Sequence, residues 1–206
     1  MKIVRLHPDH PNDYCCNLYW LLADAGQPQG FNSLVDVGSS RPANLDFVVQ
    51  AMEAHPKGIG RRAVDQVVLT HLHYDHAGGL AAVIERFHPK VFAFRREPGV
   101  DHQLLDGNWI RRGDNDYRVL HTPGHSEDSI CLHCPETRTL FSGDTLYRIS
   151  DTAGSYPECY VQSLERLLAL DLKVIYPGHG EPITHDIQAF IHTAIQNVRA
   201  SVSPLL

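Results

Sequence analysis

Hydrophobic positions along this chain alternate between two spacings, and the alternation predicts a layered mixture of strands and helices. Residues 15–23 (CCNLYWLLA) and 34–37 (LVDV) read as strands separated by a loop of Gly, Pro and Gln. Leu45, Val48, Val49 and Met52 form the i, i+3, i+4, i+7 stripe of an amphipathic helix over 44–55, ended by a Gly- and Arg-containing loop at 57–62. Val67, Val68 and Leu69 then run consecutively, as in a strand buried on both faces, within 64–70. Leu80, Val83, Ile84 and Phe87 mark a second helix, and 91–94 another short buried strand. The second half repeats the alternation. Strands are predicted at 117–121, 129–134, 138–142 and 173–176, a helix at 161–170, and a last helix carrying Ile187, Phe190, Ile191, Ala194, Ile195 and Val198. No linker, repeat or low-complexity stretch divides the 206 residues, so one domain over 1–206 is expected.

Composition narrows the class. With 43% hydrophobic and 20% charged residues the chain has an ordinary globular balance, and its formal charge of −6 is unfavourable for gripping nucleic acid. No apolar run has the length of a membrane span. The N-terminus meets charge before a signal-peptide core could form, so a cytoplasmic location is expected. Five cysteines, two of them adjacent (Cys15 and Cys16), make a poor disulfide framework. The Cys131–Cys134 pair lies in a strand-like stretch with no second CxxC to complete a zinc site, and reads as buried reduced thiols. The pairs Arg95–Arg96 and Arg111–Arg112 read as solvated loop charges.

Histidine changes the picture: there are 14, and they cluster. The segment Thr70-His71-Leu72-His73-Tyr74-Asp75-His76 follows a buried strand and precedes a helix, where α/β sheets place ligands. His71 and His73 can project to one side of an extended turn, while Asp75 and His76 begin the next turn and can face a second point. Three further polar residues occupy the same kind of position. His125 (TPGHS), Asp144 (FSGDT) and His179 (YPGHG) each follow a strand and a glycine that lets the backbone turn sharply. Four loops therefore deliver five His and two Asp to one rim, a set suited to zinc, iron or manganese. His7, His10, His55, His88, His102, His133, His185 and His192 have no such context and are expected at the surface or in loops. His121 lies close enough to His125 to support it from behind.

The order His-x-His-x-Asp-His, then single His, Asp and His after Gly, resembles the metallo-β-lactamase-fold superfamily over roughly residues 15–185. Asp36-Val-Gly38 resembles the Asp-Thr-Gly turn near the start of that family, where its role is structural. The resemblance implies an α/β fold, a four-layer αββα sandwich with the site along one edge of two sheets. It implies that His71, His73 and His125 hold one metal ion, that Asp75, His76 and His179 hold a second, and that Asp144 bridges them.

Two such ions bring a shared water towards deprotonation near neutral pH, and the resulting hydroxide attacks a carbonyl or phosphoryl group. Asp75 is expected to orient it. Tyr147, three positions after Asp144, matches a tyrosine of the acyl-homoserine-lactonase branch that contacts the substrate carbonyl, and would donate to the developing oxyanion. The expected activity is hydrolysis of a small-molecule ester, lactone or thioester by a dinuclear centre, zinc first, with iron or manganese compatible. The alternatives are an endoribonuclease-like phosphodiesterase and an iron-dependent persulfide dioxygenase. Only 27 residues follow His179, against the helical glutathione-binding segment of glyoxalase II, so a glutathione thioester is expected to be a poor substrate. No nucleic-acid or membrane partner is expected, and a homodimer is compatible.

Overall fold

The computed structural model describes residues 1–8, 15–24, 26, 29–54, 62–146 and 156–201. Two sheets face each other. The first has six strands in sequence order: β1 (Lys2–Leu6), β2 (Leu18–Leu22), β3 (Ser33–Val35), β4 (Gln66–Val68), β5 (Lys90–Ala93) and β6 (His102–Gln103). The pairs β1/β2 and β2/β3 are antiparallel and the remaining three are parallel. The second sheet runs β11 (Val174–Pro177), β10 (Thr139–Gly143), β9 (Ile130–Cys134), β8 (Asn115–His121) and β7 (Trp109–Arg112). Its strands are antiparallel except β10 and β11.

Both faces of each sheet are covered, and the alternation of side chains shows it. Trp20, Leu34 and Val67 point outward to α1 (Pro42–Ala54) and α3 (Leu80–Phe87), joining Val48, Met52 and Val83. Their neighbours Tyr19, Leu21, Val35 and Val68 point inward against Val119, Leu132 and Phe141 of the second sheet. The far face of that sheet, through Leu120, Cys131 and Leu140, meets α4 (Glu158–Leu168) and α5 (Ile187–Ser201). The result is the expected αββα order. A one-turn helix, α2 (Tyr74–Ala77), precedes α3.

Three strands escape the sequence pattern. The segment of β1 is half-buried and carries Lys2 and Arg5, β6 has two exposed residues, and β7 is a half-exposed edge strand. Two polar residues also lie deeper than expected. His133 is in β9 and buried, because it sits on the face that the helices cover. Arg112 is in β7 rather than a solvated loop and is 2% exposed, its guanidinium stacked 4.1 Å above the Phe92 ring. Burial pulls its pKa down to about 9. Arg95, Arg96 and Arg111 do sit near the surface, against Glu97, Gln103 and Asp116. His10 and His55 lie outside the described residues. All five cysteines are free thiols, four of them buried.

Candidate metal centre

The residues of the histidine motif are set by the end of β4 and by Asp36. Asp36 has a left-handed backbone (φ 60°), which Asp tolerates better than most residues, and this turns its carboxylate back under the motif. Its Oδ1 accepts the Thr70 amide at 2.7 Å and its Oδ2 accepts the Thr70 hydroxyl at 2.8 Å. His76 Nδ1 also lies 2.8 Å from Oδ2. Thr70 Oγ1, having donated to Asp36, can accept from His71 Nδ1 at 3.1 Å. Both imidazoles are thereby oriented through Nδ1, and Nε2 of each is turned to the rim.

There the seven residues meet. His71, His73 and His125 offer ring nitrogens within 4.8 Å of one another, and so do the donor atoms of Asp75, His76 and His179. His73 Nδ1 and His125 Nε2 are 2.9 Å apart. Asp144 stands between the groups: Oδ1 is 3.2 Å from His76 Nε2, and Oδ2 is 3.5 Å from both His125 Nε2 and His179 Nε2. Asp75 Oδ2 is 3.1 Å from His179 Nε2. His71 Nε2 is buried with no hydrogen-bond partner, and His76 Nε2 and Asp144 Oδ1, although close, are not aligned for a hydrogen bond. Buried lone pairs left so are costly in protein alone and fit a cation bound by N and O donors.

The local electrostatics agree. Burial, reinforced by the neighbouring imidazoles, holds the His71 pKa down to about 2, leaving its ring neutral. Burial opposes charge on His76 too, but Asp36 and Asp144 outweigh it and push the value up to about 10. Asp144 is held well below the usual carboxylate range, since contacts from His179 and His76 exceed its desolvation. A positive charge beside His76 is therefore favoured, and a metal cation in place of the proton meets the same carboxylates.

The glycines before His125, Asp144 and His179 act differently. Gly124 and Gly143 have positive φ (151° and 48°). Gly178 is required for space: a Cβ there would run into Asp144 Oδ1 and stand 2.7 Å from His76 Cε1. His121 does not support the group, because its Nε2 faces the Glu127 carbonyl at 2.8 Å and its ring stacks on Phe94 at 4.0 Å. Tyr147 lies outside the described residues. Sequence reasoning missed the reach of Asp36 to His76, as well as the contacts that Tyr160 and Ser163 make from α4.

A family model described as the metallo-β-lactamase superfamily matches residues 18–113 and 95–179. The chain belongs to that superfamily. Among curated relatives, the thioesterase pkgB of Emericella nidulans is 30% identical over 166 residues, covering 80% of this chain and 47% of its own. An atrochrysone carboxyl ACP thioesterase of Aspergillus fumigatus is 30% identical over 73% of this chain and 47% of its own. A hydroxyacylglutathione hydrolase of Maricaulis maris is 33% identical over 69% of this chain and 62% of its own. The chain thus spans about half the length of most of the curated relatives it matches. A metallo-β-lactamase family protein from Thermus thermophilus superposes with a TM-score of 0.73 at 23% identity, over 97% of this chain and 79% of that one, and shows the same fold. TTHA1623, solved in a di-iron-bound form, superposes with a TM-score of 0.61 at 27% identity over 92% and 97% of the two chains. No helix among the described residues is long and apolar enough to cross a membrane.

Proposed function

We propose that this metallo-β-lactamase-fold chain is a dinuclear metal-dependent hydrolase of a small-molecule thioester or a related ester. In this reading residues 1–206 form one domain, His71, His73 and His125 hold one divalent ion, Asp75, His76 and His179 hold the second, and Asp144 bridges them. The observation that carries it is the shared position of Asp144, whose two oxygens lie 3.2–3.5 Å from nitrogens belonging to both groups. When bound, the ions would supply a nucleophilic water near neutral pH and polarise the carbonyl under attack.

The chain's own residues do the rest. Asp36 and Thr70 fix the tautomers of His76 and His71, so that the rim nitrogens present lone pairs rather than protons. Asp75 places a carboxylate 3.1 Å from His179 Nε2, where it can accept a hydrogen bond from water and orient it. Tyr147 follows Asp144 by three positions and is proposed as a hydrogen-bond donor to the carbonyl oxygen. Zinc suits the N and O donors, and the di-iron form of a neighbour at 27% identity supports iron as a second choice. A thioester is preferred to a lactone because two of the relatives above are named thioesterases and a third a hydroxyacylglutathione hydrolase.

The test is a substrate panel on protein loaded separately with zinc, manganese and iron: an acyl thioester, a glutathione thioester, a lactone, single-stranded RNA and a glutathione persulfide. Thioester hydrolysis that chelation removes and metal restores is the expected result. Faster RNA cleavage, or oxygen uptake with the persulfide in the iron form, would replace the reading.

A further inference from the structure

Helix α4 carries three polar side chains one turn apart, Tyr160, Ser163 and Arg166, and each donates to a main-chain carbonyl beneath the candidate metal centre. The Tyr160 hydroxyl donates to Thr145 O at 2.7 Å, directly after Asp144. The Ser163 hydroxyl lies 2.7 Å from Pro123 O, two residues before His125, and 3.1 Å from Cys159 O of its own helix, so the loop carbonyl is the nearer acceptor. Arg166 Nη1 reaches His121 O at 3.3 Å, at the root of the same loop. The Tyr160 ring also fills the space over Gly124, where a Cβ would collide with it. From the other side the two loops are joined by the Thr122 and Thr145 hydroxyls, 3.0 Å apart.

Packing alone does not account for these hydroxyls. Leu164 and Leu167 already seat α4 on the second sheet, and a phenylalanine at 160 would cover the same apolar surface. Burial pushes the phenol pKa up, so it stays a neutral donor. What the hydroxyl adds is direction: it fixes the Thr145 carbonyl next to Asp144, while Ser163 fixes the Pro123 carbonyl two residues before His125. We infer that Tyr160, with Ser163, is a positioning residue that sets the spacing between His125 and Asp144 and so the geometry of the metal pair. This inference rests on the ligand assignment proposed above.

The test is cobalt(II) titration of the metal-free protein, comparing wild type with Tyr160→Phe and Ser163→Ala, each checked by thermal melting. Tyr160→Phe should bind cobalt about tenfold more weakly, the lower end of what loss of a group supporting a metal ligand costs. Its visible absorption bands should shift as the coordination geometry changes. Ser163→Ala should move both readouts the same way by less, and it serves if Tyr160→Phe loses its cooperative melt. Wild-type cobalt affinity and spectrum in both variants would overturn the inference, whatever happens to their melting temperatures. If wild type itself binds no cobalt, the ligand assignment fails. The loop-holding role is then read from amide hydrogen exchange over residues 122–129 in the metal-free protein, where faster exchange in Tyr160→Phe supports it and unchanged exchange overturns it.

Discussion

Asp36→Asn separates the support of the candidate metal centre from its proposed ligands, since Asp36 is not itself on the rim. The carboxylate accepts three hydrogen bonds, from the Thr70 amide, the Thr70 hydroxyl and His76 Nδ1, at 2.7–2.8 Å. Asparagine keeps the shape and tolerates the left-handed backbone at φ 60°. It keeps one acceptor oxygen and replaces the other with an NH2. If the remaining oxygen serves the Thr70 amide, the NH2 faces His76 Nδ1 and favours the tautomer with its proton on Nε2, towards the metals. Bonds to a charged acceptor contribute about 1.5–3 kcal/mol each and neutral ones about half as much. Weakening three of them, with the Thr70 hydroxyl free to re-pair, should lower the stability of the metal-free protein by about 2–4 kcal/mol. Metal affinity should fall about 10–100-fold through the His76 tautomer. Urea denaturation of the metal-free protein gives the first quantity and a competitive chelator titration the second. A variant that is destabilised yet binds metal as tightly as wild type would refute the argument that Asp36 sets the His76 tautomer.

Other outcomes follow from the same geometry. Asp144→Ala should lower occupancy at both metal positions together, and His179→Ala mainly at the second, as read by metal analysis after dialysis; full loading of both variants would refute the assignment. Gly178→Ala should keep a cooperative fold while losing metal binding, because its Cβ enters the space of Asp144 Oδ1 and His76 Cε1; unchanged binding would contradict that. The metal-free protein should be most stable near pH 6.5, the ordinary histidine value. The folded-state pKa of His76, about 10, lies above the ordinary 6.5, so its contribution is full below 6.5 and is lost as pH rises towards 10. That of His71, about 2, lies below 6.5, so the unfolded chain takes up the proton first and stability is lost as pH falls below 6.5. A melting temperature that climbs steadily from about pH 6 to 9 would contradict the His76 contribution.

The central strands of both sheets were legible where apolar residues run together through buried positions. Val67 and Val68 are consecutive buried apolar residues of β4, β9 is buried on both faces, and α3 shows a full apolar stripe. Strand β1 was not legible, because Lys2 and Arg5 interrupt a half-buried segment that pairs with β2 over its whole length. The seven rim residues were visible because each is an ionisable group after a strand. Their support was not. Asp36 meets Thr70 and His76 across 34 and 40 positions of chain, and Tyr160 and Ser163 bind main-chain carbonyls that carry no side-chain signature. Arg112 and His133 show the opposite limit, since a polar residue type gives no sign that its strand position is covered.

The most direct test of the account is thioester hydrolysis by the metal-free protein as a function of added zinc per chain. The account predicts negligible activity without metal, a rise to a plateau at two equivalents, and no recovery in Asp144→Ala over the same range. Activity that survives complete chelation, or a protein that binds two equivalents of zinc and hydrolyses no thioester, lactone or other ester, would contradict it.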